Sequence, residues 1–126
     1  MRSVDTNVLV RLLVRDDDAQ ARAAEAFVSR GAWVSHLVLA EVSWVLGAVY
    51  DRSAKELAAA VARLLDHEQL VLQDPEVVTA ALARFQRRRA LSFSDCLIVE
   101  IARKAGHVPL GTFDRDLAKL EGVERV

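Results

Sequence analysis

Four apolar runs of two to four residues recur along this chain: Ser3-Val4, Ala32-Trp33-Val34-Ser35, Leu70-Val71-Leu72 and Val108-Pro109-Leu110-Gly111. Helix-patterned stretches separate them. A strand buried on both faces reads as a short apolar run rather than an alternating one, and parallel neighbours need a long crossover, usually a helix. The pattern therefore restricts the chain to the α/β class: a three-layer α/β/α sandwich around a short-stranded, mainly parallel central sheet. Its 126 residues suit one domain, residues 1–126, with no repeat, linker or low-complexity tract. The first crossover helix follows Asp5 and carries Leu9, Leu12 and Leu13. A second is expected from Ala19 to Arg30, ended by Gly31, and a largely buried one from His36 to Tyr50. Ser53 caps a helix with Leu57, Val61, Leu64 and Leu65 on one stripe. Pro75 opens another, running to Arg89, at the first-turn position that tolerates proline. Ser94 begins a helix through Leu97, Ile98, Ile101 and Ala102, stopped by Gly106. A short helix from Asp114 to Leu120 and an edge strand at Val123-Glu124-Arg125-Val126 complete the order.

Composition excludes several classes. Apolar runs stay below the ~18 residues of a membrane span. The start, Met1-Arg2-Ser3-Val4-Asp5, lacks the apolar segment of a secretory leader, and the single cysteine, Cys96, permits no internal disulfide. A cytoplasmic protein is expected. With a formal net charge of −1, no global basic field draws nucleic acid, so any such contact is local. The 52% hydrophobic content is compatible with a buried interface between chains as well as with an efficient core.

Carboxylates carry the chemistry. Glu41 is the only charged residue between Arg30 and Asp51, and its helical neighbours are Leu37, Val38, Trp44 and Val45. Burial of that face would strand a carboxylate without a partner. Asp5, Asp95 and Asp114 fall at or near helix starts. In open parallel sheets the ligand crevice lies beyond the carboxyl ends of the strands, so this topology can gather Asp5, Asp95 and Asp114 there, with Glu41 reaching in. Unit charges ~4 Å apart repel by about 4 kcal/mol at an effective dielectric near 20. A hard divalent cation turns that repulsion into binding, and an all-oxygen donor set suits Mg²⁺ or Mn²⁺. Each aspartate also stands where aspartate commonly caps a helix or charges its first turn, and Ser92 with Asp95 resembles a capping box. For Glu41 the corresponding structural role is a salt bridge to a buried arginine.

Val4-Asp5-Thr6-Asn7-Val8-Leu9, Ala40-Glu41-Val42, Ser94-Asp95-Cys96-Leu97-Ile98 and Leu110-Gly111-Thr112-Phe113-Asp114 resemble, in order and spacing, the acidic motifs of PIN-domain ribonucleases. Length and N-terminal start are similar to the stand-alone PIN toxins of type II toxin–antitoxin systems, the VapC family. The resemblance implies a PIN-like fold and a Mg²⁺-dependent endoribonuclease leaving a 5′-phosphate and a 3′-hydroxyl. It maps Asp5, Glu41 and Asp95 onto the three main acidic positions and Asp114 onto the fourth. Asp116 is an alternative to Asp114, and Thr6, Asn7 and Thr112 would orient carboxylates or water. It further implies an RNA substrate, a homodimer, and a cognate VapB-like antitoxin that blocks the acidic cleft. Cys96 departs from the small residue common at that position and is expected to be a small buried hydrophobe.

Other residues are local. Arg84, Arg87, Arg88 and Arg89 end a helix, where cations suit the dipole, and Arg87 and Arg88, with Arg11 and Arg15, are candidates for phosphate contact. Asp16-Asp17-Asp18 is expected as a solvated helix start. His36, His67 and His107 show no ligand spacing and are expected at the surface or in caps. Trp33 and Trp44 are expected in the core. Two other enzyme and signalling classes fit the fold less well. A strand-end aspartate phosphatase wants a second aspartate two residues on, where Asn7 stands, and a receiver domain wants paired acids after the first strand. A PIN scaffold that binds RNA or protein without cutting is a further alternative.

Overall fold

Three of the apolar runs pair as a parallel sheet in the order β1 (Arg2–Ser3), β2 (Ala32–Val34) and β3 (Leu70–Leu72). The register sets Ser3 beside Trp33 and Trp33 beside Val71. The computed structural model describes residues 1–88 and 90–126. Its chain divides into two compact units, Met1–Pro75 and Glu76–Val126.

In the first unit the sheet is joined through α1 (Thr6–Val14), α2 (Asp18–Val28), α3 (His36–Ala48) and α4 (Ala54–Asp66). α1 packs against both α2 and α3. Each helix begins on a side-chain cap. Asp5 accepts the N–H of Val8 at 3.1 Å, Asp17 that of Gln20 at 3.0 Å, and Ser35 that of Val38 at 3.1 Å. Ser53 and Glu56 form a reciprocal capping box on α4, which satisfies two of the otherwise orphaned donors at its start. The core of this unit is aliphatic, built on Leu9, Val10, Ala32, Val34, Leu39, Val42, Val61 and Leu64.

The second unit holds α5 (Pro75–Arg87, from Glu76 onward), α6 (Phe93–Ala105) and the parallel pair β4 (Leu110–Thr112) and β5 (Val123–Arg125). Phe85 of α5 meets Phe93 of α6 edge-on, with centroids 6.0 Å apart. α6 ends on Gly106 at φ 83°, a left-handed position that glycine occupies without strain.

The class, helix order and short parallel strands agree with the sequence pattern. Several details do not. β1 is Arg2–Ser3 rather than Ser3-Val4, although the N–H of Val4 still bonds Trp33 O at 3.2 Å. Asp114–Leu120 is a turn with a single 3-10 segment, Leu117–Lys119, too short a run for a regular helix. The helix from Pro75 ends at Arg87, and Arg89 lies outside the described residues.

α3 brings the largest correction. Its buried stripe is His36, Leu39, Val42, Ser43 and Leu46. Glu41 is exposed, and so are Leu37 at 70% and Trp44 at 68%. A helix apolar on nearly every side carries no phase in its sequence, so its buried face cannot be read from composition alone. Trp33 is likewise partly open, at 37%. His36, by contrast, is buried, and among the described residues its Nε2 has no hydrogen-bond partner.

Candidate active site

Asp5 follows β1 by two residues and caps α1, with Oδ1 committed to the N–H of Val8. Oδ2 is then the oxygen available to a cation. The next residue, Thr6, donates its hydroxyl across 35 positions to Glu41 Oε2 at 3.1 Å. That bond places Glu41 within one residue of Asp5 and leaves its Oε1 for other work. Burial does not make this glutamate need a metal; the Thr6 hydroxyl holds it instead, one residue along the chain from Asp5. Asn7 is exposed beside them.

In the second unit Asp95 sits in the first turn of α6, where its own N–H bonds the Ser92 hydroxyl at 3.1 Å. Ser92 and Ser94 hydroxyls lie 3.3 Å apart beside it. The turn after β4 is organised by Asp114. Its N–H donates to Thr112 Oγ1 at 3.0 Å, and its Oδ1 accepts the N–H groups of Asp116 and Leu117 at 2.8 and 3.0 Å. Asp116 lies 3.4 Å from Lys119 Nζ. Asp5 thus caps a helix and Asp114 closes a turn, each through Oδ1, and each keeps a second oxygen.

The donors fit a hard divalent cation in kind, since all are carboxylate or hydroxyl oxygens. Cys96 is no competing thiolate: burial first, and then the Asp95 charge, push its thiol up to about 11. Among the described residues, no three acidic, histidine or cysteine side chains converge in a metal-sized group. In the first unit Glu41 is bonded to Thr6, the neighbour of Asp5; in the second, Asp114 is held through its carboxylate and Asp95 through its backbone N–H.

Two of the four proposed phosphate contacts are engaged. Arg11 pairs with Asp16 at 2.9 Å, and Arg15 with Glu25 at 2.5 Å. Arg87 and Arg88 are exposed at the end of α5. One constellation escaped the sequence reading. Glu100 of α6 is buried and faces two arginines, with Arg84 Nε 3.3 Å from Oε1 and Arg103 Nε 3.4 Å from Oε2. Arg103 also donates to Glu121 O at 2.6 Å. The Glu100–Arg103 spacing of three was the available signal.

Among the described residues, no helix is long and apolar enough to cross a membrane. The PIN domain family model matches residues 3–123. No curated protein and no solved structure matches the chain. PIN domains are generally nucleases that act on RNA and usually bind divalent metal ions. With nearly its whole length matched and the expected α/β order in place, the chain belongs to the PIN-domain family.

Proposed function

We propose that this chain is a Mg²⁺-dependent endoribonuclease and the toxin component of a VapBC-type toxin–antitoxin system, with residues 1–126 acting as one PIN domain. Mn²⁺ would serve in place of Mg²⁺. The observation that carries the reading is the Thr6–Glu41 hydrogen bond, which ties the acid of α3 to the strand-end acid Asp5 without consuming either residue's second oxygen.

Asp5, Glu41, Asp95 and Asp114 would hold the cation through their carboxylates. When bound, the cation supplies a water of lowered pKa and neutralises charge on the scissile phosphate. The chain's own part is positioning. Thr6 fixes the Glu41 carboxylate, the Val8 N–H fixes Asp5, and the Thr112–Asp114 turn fixes the fourth acid. Asp114 is preferred to Asp116 because Asp116 is already beside Lys119. A homodimer and a cognate VapB-like antitoxin are the partners this reading entails; the exposed Leu37, Trp44 and Phe113 are compatible with such contacts.

The test is cleavage of RNA with Mg²⁺ or Mn²⁺, comparing the intact protein with Asp5→Asn and Asp95→Asn. Loss of cutting in both variants and in EDTA is expected. Equal cutting by the variants, or indifference to EDTA, contradicts the reading. Activity confined to small phosphate esters transfers the case to a phosphatase.

A further inference from the structure

Parity along β1 and β2 puts Ser3 and Asp5 on the same side of the first unit's sheet as Trp33 and Ser35, since successive strand side chains alternate faces and Ser3 is registered with Trp33. These four residues, with Val4, Val8, Phe27 and Val38, line one cavity of about 490 Å³. That volume falls within the roughly 300–1,000 Å³ of sites for small organic ligands. It is walled largely by apolar and aromatic groups, and its polar atoms are few and specific. Ser35 Oγ already accepts the Val38 N–H, so its hydroxyl proton remains to donate. The exposed guanidinium of Arg2 stacks on the ring of Phe27, with its carbon 3.8 Å from the centroid. Trp33, which a closed core would cover, is 37% open.

We infer that this cavity receives one unpaired nucleobase of the RNA, stacked against Trp33 beside Asp5, and so sets the base preferred next to the cleaved bond. The inference rests on the nuclease reading above. A largely apolar, aromatic-lined recess with the Asp5 carboxylate at its wall disfavours phosphate and suits the flat face of a base, and single-stranded RNA is read mainly by stacking on aromatic side chains and by hydrogen bonds to base edges. The Ser35 hydroxyl offers a donor to a base carbonyl or ring nitrogen. Arg2, at the Phe27 wall, offers a cation to the backbone phosphate outside. Asp5 is common to the cavity and to the acidic group, so a base seated there brings its own phosphodiester towards the acids.

Trp33 reports occupancy directly. The chain has two tryptophans, so Trp44→Phe, a change at a side chain 68% exposed, leaves Trp33 as the sole emitter. In EDTA, this protein is titrated with AMP, GMP, CMP and UMP, and with ribose 5-phosphate as the probe lacking a base. Saturable quenching by at least one nucleotide, at least tenfold stronger than by ribose 5-phosphate, is expected. Val38→Phe, which fills the cavity, should weaken it at least tenfold, while Val38→Ala, which cannot overfill the site, should bind yet alter the order of preference among the four bases. Quenching by none of the nucleotides, or equally by ribose 5-phosphate, overturns the inference. So does fluorescence that responds only to protein concentration, which would make the recess a contact between chains. Cleavage with Mn²⁺ is scored separately: cutting without quenching removes the base site and leaves the nuclease intact. Quenching without cutting removes the nuclease reading and, with it, the recess as a substrate subsite.

Discussion

Glu41 on α3 and Glu100 on α6 both stand in apolar helices, yet their surroundings are opposite. Glu41 is exposed and accepts a hydrogen bond from Thr6. Glu100 is buried between Arg84 and Arg103, with both oxygens near a guanidinium. A carboxylate whose two oxygens already face cations has little to offer a metal, and removing it leaves two cations uncompensated. A carboxylate steadied by one hydroxyl keeps an oxygen and its charge for a ligand. The comparison separates a glutamate that holds the fold from one free to act.

Glu100→Ala should produce the largest change in stability. Breaking a buried pair costs about 3–5 kcal/mol, and since Arg84 and Arg103 are about a third exposed, at 31% and 32%, roughly 2–3 kcal/mol is expected here. Urea unfolding measures it, and Glu41→Ala in the same assay should stay within about 0.5 kcal/mol. Equal losses would erase the distinction. Thr6→Val tests the other side. Removing an outer partner of a metal ligand typically lowers activity or metal affinity about 10–100-fold, so RNA cleavage should fall by that factor with little change in urea midpoint. Unchanged cleavage would mean the Thr6 bond positions nothing.

Cys96 adjoins Glu100's surroundings and should titrate as a core group. Its folded pKa is raised, from 9.0 to about 11, so the stability it contributes is complete below pH 9 and is lost as pH rises towards 11. The expected loss, on the order of 2 kcal/mol, should be absent in Cys96→Ala. Glu56 gives the smallest effect and the opposite sign. The Ser53 backbone N–H, above all, holds its carboxyl below the usual value of 4.5, so the cap contributes above that pH and fades as pH falls through the folded value. A slight acid-side drop in melting temperature, missing in Glu56→Gln, is the readout.

Much of this was legible in the sequence. Short apolar runs dictated parallel strands, and Asp5, Ser53 and Ser92 marked helix starts because capping is a local, one-turn interaction, whereas Ser35, read as a strand end, proves to be a cap as well. The buried face of α3 was not legible, since Leu37, Trp44 and Val45 are as apolar as the Leu39, Val42 and Leu46 that are buried. Only tertiary packing chooses between such faces. The same ambiguity misplaced Trp44 in the core and His36 at the surface. Glu100 is not legible locally either, because it stands among Leu97, Ile98 and Ile101 and its partner Arg84 lies on another helix. The candidate acids were found by type and order, but what links Asp5 to Glu41 is a threonine hydroxyl 35 residues away from its acceptor, a separation no local pattern encodes.

The most direct test places both glutamates in one metal-dependent cleavage assay, at a temperature where each variant is folded by circular dichroism. With Mn²⁺ and a single-stranded RNA, Glu41→Gln should cut at least about 100-fold more slowly than the parent, and Glu100→Gln within a few-fold of it. Cleavage by Glu41→Gln at the parent's rate, or its loss only in Glu100→Gln, would contradict the assignment of Glu41 to the chemistry.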